Sequence, residues 1–289
     1  MTDQAPRPEP IPPGLAGPDD AQARYWAHEG GADWVRDEVV HAAMLAPFDG
    51  VLVGALSLAA GERVLEVGCG FGATAEVLAA TGAVVHGVDI SPAMIQRARD
   101  REVGAGATFA VADAQADDLG GPFDAVASRF GVMFFADPVR AFANLASATR
   151  SGGRLAFVCW QGVEHNPWMG RPIAAVRSRL VEPPAPIAPG PGPFAFADAA
   201  YVEGVLAGAG WSDVTITPCP TTVGLGGGGG VAGAVQQVLG IGVVKALLEP
   251  APGPVRAEVA AALAGEFSGC VVDGVVTFPA AAWLVTARR

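Results

Sequence analysis

The 289-residue chain is 51% apolar and only 16% charged, a balance that supports a large buried core and excludes a disordered chain. Its 18 Lys and Arg against 29 Asp and Glu leave a formal net charge of −11, which removes the electrostatic footprint that phosphate backbones need, so no nucleic-acid partner is expected. Lys245 is the single lysine and no polybasic run exists, which excludes an electrostatic membrane anchor.

Prolines 6, 8, 10, 12, 13 and 18 mark residues 1–20 as a flexible tail. Residues 21–60 read as helical, with Trp34, Val35, Val39, Val40, Met44 and Leu45 forming a broad apolar face. From Arg63 the texture changes. RVLEVG reads as a strand, CGFG as a turn, ATAEVLAATG as a helix closed by Gly82, and AVVHGVDI as a second strand. SPAMIQRARD is a helix capped by Ser91 with Pro92 at its first position. ATFAVADA, FDAVASRF and RLAFVCW supply strands three to five, with a helix over DPVRAFANLASATR between the last two. This alternation predicts an α/β fold: a Rossmann-like, doubly wound, mostly parallel seven-stranded sheet with helices on both faces.

Beyond residue 160 the pattern loosens. Residues 161–180 and 197–209 read as helices separated by the proline-rich VEPPAPIAPGPGPF, and WSDVTITP reads as a sixth strand. The glycine tract Gly224–Gly230 is expected to hold no packed structure. Helices over 231–249 and 254–266 precede a last strand, VVTFPAAAWLVTAR. Residues 21–289 thus read as one domain: a core over 21–160, helical lid or acceptor insertions over 161–196 and 221–270, and 271–289 carrying the last strand. Cys69, Cys159, Cys219 and Cys270 are far apart with no C-x-x-C pair, so neither a metal site nor a disulfide framework is expected. MTDQAPRPEPIPPG lacks an apolar signal region, and the charge-free stretch 215–244 contains Pro218, Pro220, Gln236 and Gln237. The reading is a cytoplasmic protein with no membrane partner.

The chemistry is concentrated in Glu66-Val67-Gly68-Cys69-Gly70-Phe71-Gly72, between a strand and a helix. Alternate glycines let the backbone turn sharply and a ligand lie against it, and the following helix offers free N–H groups. Asp89 ends the second strand about twenty residues beyond the first glycine, the distance at which an acid reaches ribose hydroxyls. A nucleoside-containing cofactor follows. Gly68, Gly70 and Ala73 also satisfy the G-x-G-x-x-A pattern of nicotinamide enzymes, so an NAD(P)-dependent oxidoreductase stands as an alternative. Glu66 before the turn, Asp113 after the third strand, and the helical segment ahead of the first strand point elsewhere.

VLEVGCGFG, GVDISPAMI, VADAQ, FDAVASRFGVMFF and SGGRLAFVCW together resemble the class I S-adenosylmethionine-dependent methyltransferases, in the small-molecule group of quinone and natural-product pathways. The resemblance implies S-adenosyl-L-methionine as cofactor and methyl transfer to a small, largely apolar acceptor; a cofactor-binding member that transfers no methyl is the second alternative. It also implies that Gly68, Gly70 and Gly72 line the methionine and ribose moieties, and that Glu66 holds the loop or the cofactor amino group. Asp89 would take the ribose hydroxyls, Ile90 and Met94 would pack on the adenine, and Asp113 and Ala114 would read its edge. Ser128 would lie near the methionine amino group, and Trp34, with Trp26, would cover the cofactor and the acceptor. No general base is legible. His28, His41, His86 and His165 are the histidines, with His165 in VEHNPW the catalytic candidate because acceptor pockets form after the fifth strand; Glu164 and Tyr201 are weaker. Oligomeric state is not readable.

Overall fold

A computed structural model describes residues 21–101, 106–180, 190–249 and 251–289; the tail read over 1–20 and most of the proline-rich linker lie outside the described residues. The N-terminal segment is a run of short helices, α1 (Ala21–Tyr25), α2 (Gly31–Arg36), α3 (Glu38–Leu45) and α4 (Asp49–Leu56). A π-helical turn at Trp26–Gly30 and a tighter 3-10 turn at Ala46–Phe48 interrupt it. Strand and helix then alternate: β1 (Arg63–Val67), α5 (Ala73–Ala79), β2 (Val84–Asp89), α6 (Pro92–Arg99), β3 (Ala107–Val111), β4 (Phe123–Arg129), α7 (Pro138–Ser147) and β5 (Thr149–Trp160). The remainder comprises α8 (Pro167–Arg177), α9 (Ala199–Gly208), β6 (Ser212–Leu225), α10 (Gly230–Gly240), α11 (Gly242–Leu248), α12 (Gly253–Ser268), β7 (Val271–Val272) and β8 (Val275–Arg288).

Seven strands form one path in the order β3-β2-β1-β4-β5-β8-β6, and the two-residue β7 pairs with β8 off that path. The first five are parallel, whereas β8 runs antiparallel to both β5 and β6. Strand order reverses between β1 and β4, and a crevice opens beyond the strand ends at such a point. The strand period of two sends Val64, Ala125 and Ala127 to one face, packed with Leu52, Leu56, Ala75 and Leu78. Leu65, Val126 and Phe157 go to the other, packed with Phe142, Leu145 and Leu206. Caps follow the sequence signals: the Ser91 hydroxyl accepts from the Met94 N–H at 3.3 Å, and the Asp137 carboxylate from the Arg140 N–H at 3.0 Å.

The structure corrects the reading of the glycine tract. β6 continues through Thr221–Leu225, and α10 begins at Gly230. Pro218 and Pro220 are tolerated because β6 is the sheet edge. The tract packs because it lacks side chains: a Cβ on Gly226 would sit 2.6 Å from the Ala234 nitrogen, and its own N–H donates to Gln237 Oε1 at 2.7 Å. Residues 221–225, read above as the start of an insertion, are thus part of β6. Glu38–Leu56 is long and apolar enough to cross a membrane by length and composition. It is broken at Ala46–Phe48, however, and buries Met44, Phe48, Leu52 and Leu56 inside the domain.

Asn166, fully buried between β5 and α8, ties the start of α8 to the sheet. Its Nδ2 donates to the carbonyls of Gln161, Gly162 and Ala281, and its Oδ1 accepts from the Ala281 N–H and from Trp168 Nε1, all between 3.0 and 3.1 Å. Truncating Asn166→Ala strands several buried polar groups at once, so we expect a stability loss on the order of 3 kcal/mol in urea unfolding. An unchanged midpoint would show that the network is dispensable.

Candidate functional site

The crevice at the switch point opens into a cavity of about 530 Å³. Its first wall is the turn after β1. Gly68, Gly70 and Gly72 have φ of 65°, 55° and 83°, the left-handed conformation that glycine adopts without a Cβ clash. Gly68 also needs its missing side chain for space, because a Cβ there would lie 2.7 Å from the Cα of Gly131, in the loop after β4. The carboxylate of Asp89 holds this turn: Oδ2 accepts from the Gly70 N–H and Oδ1 from the Ser91 N–H, each at 2.9 Å. Burial pushes the Asp89 carboxyl above its ordinary range, and those backbone donors oppose the shift. Asn144 fastens the loop after β3 by donating to the carbonyls of Ala114 and Asp117, while Asp113 Oδ1 accepts from the Gln115 N–H.

Below the turn lies a buried charge cluster that sequence reasoning missed. Arg129 Nη1 reaches both oxygens of Asp49 at 2.9 Å, and Thr74 donates to Asp49 at 3.1 Å. Glu66 is 1% exposed beside them, and its Oε2 has no hydrogen-bond partner. Burial is the main reason its carboxyl is pushed up to about 8, with Arg129 pulling down and Asp49 and Asp89 pushing further up. No local motif announces this cluster, because Asp49 and Arg129 stand 80 positions apart. Phe130, directly after Arg129, is held at φ 61° and stacks on Trp160 at 4.0 Å. A bulky residue in that region is a strained backbone, the kind that concentrates at functional sites.

The roof is the N-terminal helical segment. Gly31 lies against the Ser91 side chain, so α2 sits directly over the Asp89–Ser91 corner. Glu38 pairs with Arg97 at 2.6 Å and with Arg101, fixing α3 to α6. On the other side, Lys245 of α11 bridges Glu29 at 2.6 Å and Asp33 at 2.8 Å. Trp26 meets Trp34 and Phe134 edge to face, with centroids 5.6 and 5.0 Å apart, and Trp34 lies flat on His41 at 3.6 Å and 3°. The far end is apolar, lined by Met44, Met133, Phe135, Trp160, Trp168 and Met169.

Of the predicted residues, Trp34, Glu66, Gly68, Gly70, Asp89, Ile90, Met94, Asp113 and Ala114 all line this one cavity, as does Trp26. Gly72 and Ser128 stand one layer behind it. Gly72 backs onto Phe109 and Ala98, and the fully buried Ser128 hydroxyl accepts from the Gly131 N–H at 3.2 Å. His165 does not reach the cavity: its side chain is 60% exposed, 3.6 Å from Glu164, because the short helical turn Val163–His165 points outward. His41, on the roof, lines it instead.

A parallel sheet finished by an antiparallel pair, with a glycine turn and a facing acid at its switch point, is a Rossmann-like α/β arrangement that solved methyltransferases share. Comparison with known proteins points the same way: residues 65–157 match the model of a methyltransferase domain family. Over 168 residues the chain is 32% identical to an uncharacterized protein of Mycobacterium tuberculosis, covering 56% of this chain and 58% of that one. Over 105 residues it is 40% identical to the aklanonic acid methyltransferase DauC of a Streptomyces species, covering 34% and 47%. The chain thus spans about half the length of the curated relatives it matches. A Haemonchus contortus phosphoethanolamine N-methyltransferase 2, solved with phosphomonomethylethanolamine and S-adenosylhomocysteine, superposes with a TM-score of 0.56 at 14% identity. That match covers 94% of this chain and 61% of the other. The magnesium protoporphyrin IX methyltransferase of Synechocystis, solved with S-adenosylhomocysteine, gives 0.51 at 20% identity, covering 70% and 91%. At these identities the two structures speak for the fold.

Proposed function

We propose that the chain binds S-adenosylmethionine in this cavity and transfers its methyl group to a small, largely apolar acceptor, in a cytoplasmic setting. The observation that carries the reading is the coincidence, on one wall, of a glycine-rich turn, an acid with lone pairs to spare, and an orphaned buried carboxyl oxygen. These residues fit the cofactor. Gly68 and Gly70 leave room for its chain, and Asp89 suits paired hydroxyls. Ile90 and Met94 offer an apolar surface for a purine, with Asp113 and Ala114 at its edge. Glu66 Oε2 is an acceptor waiting for a donor such as an ammonium group. Ser128 acts through Gly131 by holding the loop that faces Gly68. Nothing here favours the nicotinamide alternative, since the family match lies over the same turn.

When bound, the cofactor supplies a sulfonium methyl that is electrophilic without a metal. The protein's part is placement and exclusion of water. Holding two reactants in line can supply about 7–11 kcal/mol of the barrier, and the roof of Trp26, Trp34 and Phe134 closes the space above them. Calorimetric titration with S-adenosylmethionine and S-adenosylhomocysteine tests the reading. We expect both to bind, with Asp89→Ala weakening them roughly 10- to 150-fold, the worth of a hydrogen bond to a charged group. Circular dichroism controls for the loss of the Gly70 tether in that variant. Absence of binding to either compound by the unaltered chain overturns the proposal.

A further inference from the structure

We propose that His41 is the acceptor-side base of the cavity, and that it serves a neutral hydroxyl carried on a flat, apolar ring system. This rests on the methyl-transfer reading above and adds to it the acceptor's chemical class and the group that takes its proton.

The charge inventory selects a neutral acceptor. Among the described residues, Arg129 is the only arginine or lysine lining the cavity, and Asp49 takes it up. A phosphate or carboxylate acceptor would find no free counter-charge there. The acids of the roof are compensated as well, Asp33 by Lys245 and Arg36, and Asp37 by Arg36. Shape selects a flat one: Phe134, Trp160 and Trp168 line the cavity together with the pliable Met133 and Met169, side chains that suit a planar ring.

His41 is placed to read the hydroxyl. Its ring is 6% exposed, is clamped flat against Trp34, lines the cavity, and makes no hydrogen bond to any described residue. Burial pushes its pKa down to about 4, with Asp37 opposing and Arg36 assisting, so the ring is neutral at pH 7 and carries one free lone pair. A weak base suffices for this step. As the hydroxyl oxygen forms its bond to the methyl carbon, the carbon–sulfur bond breaks and its electron pair stays on sulfur. The O–H proton of the resulting oxonium is then far more acidic than an imidazolium. It passes to the unprotonated ring nitrogen of His41 and from there to solvent. Stacking on Trp34 fixes the direction of the lone pair and so the approach of the oxygen.

The test uses the full chain loaded with S-adenosylhomocysteine and two probes that differ in one O–H, 2-naphthol and 2-methoxynaphthalene, each titrated calorimetrically. We expect the unaltered protein to prefer the naphthol roughly three- to tenfold, the range of one neutral hydrogen bond. His41→Leu should reduce the preference to within about twofold, and His41→Gln, whose amide oxygen still accepts, should restore part of it. Retained S-adenosylhomocysteine binding in both variants shows that the fold and the cofactor site survive. Equal affinity for the two probes, binding of neither, or a preference that persists in His41→Leu overturns the assignment. If the cofactor product fails to bind the unaltered chain, it is the methyl-transfer reading that falls.

Discussion

Gly131→Ala is expected to abolish cofactor binding while leaving a folded protein. Gly131 is not in the left-handed region, so alanine brings no backbone strain of its own and the effect is one of space alone. The added methyl would lie 2.8 Å from the Gly68 Cα and 2.8 Å from the Val67 carbonyl oxygen, both backbone atoms that no side-chain rotation can move aside. The loops after β1 and β4 must therefore separate, and they are the two lips of the crevice. Overpacking of this kind costs typically 1–3 kcal/mol of stability, but its cost in binding is larger. Gly70 donates to Asp89 only while the turn holds its place, and a displacement of about 1 Å between recognition groups is worth on the order of 100-fold. Calorimetry with S-adenosylhomocysteine and a thermal melt separate the two quantities. An affinity within threefold of the unaltered protein would mean that the Gly68–Gly131 contact does not set the width of the site. Gly68→Ala, which adds a positive φ to the same clash, should be worse in both measurements.

That contact also shows where sequence reading stops. The turn itself was legible, because alternating glycines and an acid one strand later are local signals with a local cause. The strand and helix alternation through residue 160 was legible for the same reason, since each period of two or 3.6 is written within a few residues. Gly131 carries no such signal: its need to be glycine comes from Gly68, across two strands, and appears only when β1 and β4 lie side by side. Asp49 and Arg129 are alike in this, a buried pair assembled from the N-terminal helices and the end of β4. The glycine tract failed in the opposite direction. Composition alone reads as flexible linker, whereas here the missing side chains let Gly226 and Gly233 bring a turn and a helix into backbone contact. His165 stands after the fifth strand in the topology, whereas in space it is His41 that lines the cavity. The helix run from Trp34 to His41, which stacks the two rings, was in the sequence but interrupted at Asp37.

Stability should fall as pH rises from about 5 to about 8, and Glu66→Gln should remove much of that slope. The sign follows from the buried carboxyl. Glu66 titrates near 4.5 in an unfolded chain and near 8 in the fold, so between those values the native state holds a proton that the unfolded chain releases. The stabilisation from this group is complete below the lower value and is lost as pH climbs through the upper one, at up to about 1.4 kcal/mol per pH unit, a few kcal/mol in all. Asp89, also raised, acts in the same sense, and His41, lowered, acts in the opposite one. The diagnostic is therefore the difference between the two proteins in urea unfolding at several pH values. We expect Glu66→Gln to be progressively the more stable of the pair as pH increases. A difference that stays constant with pH would show that Glu66 is ionised in the fold and draws its partner from Arg129. A ligand that brings a donor to Oε2 must favour the carboxylate, so binding near neutral pH should release up to one proton, read as a dependence of the calorimetric heat on the buffer's ionisation enthalpy. Glu66→Gln has no proton there to release, and its heat should be the same in every buffer.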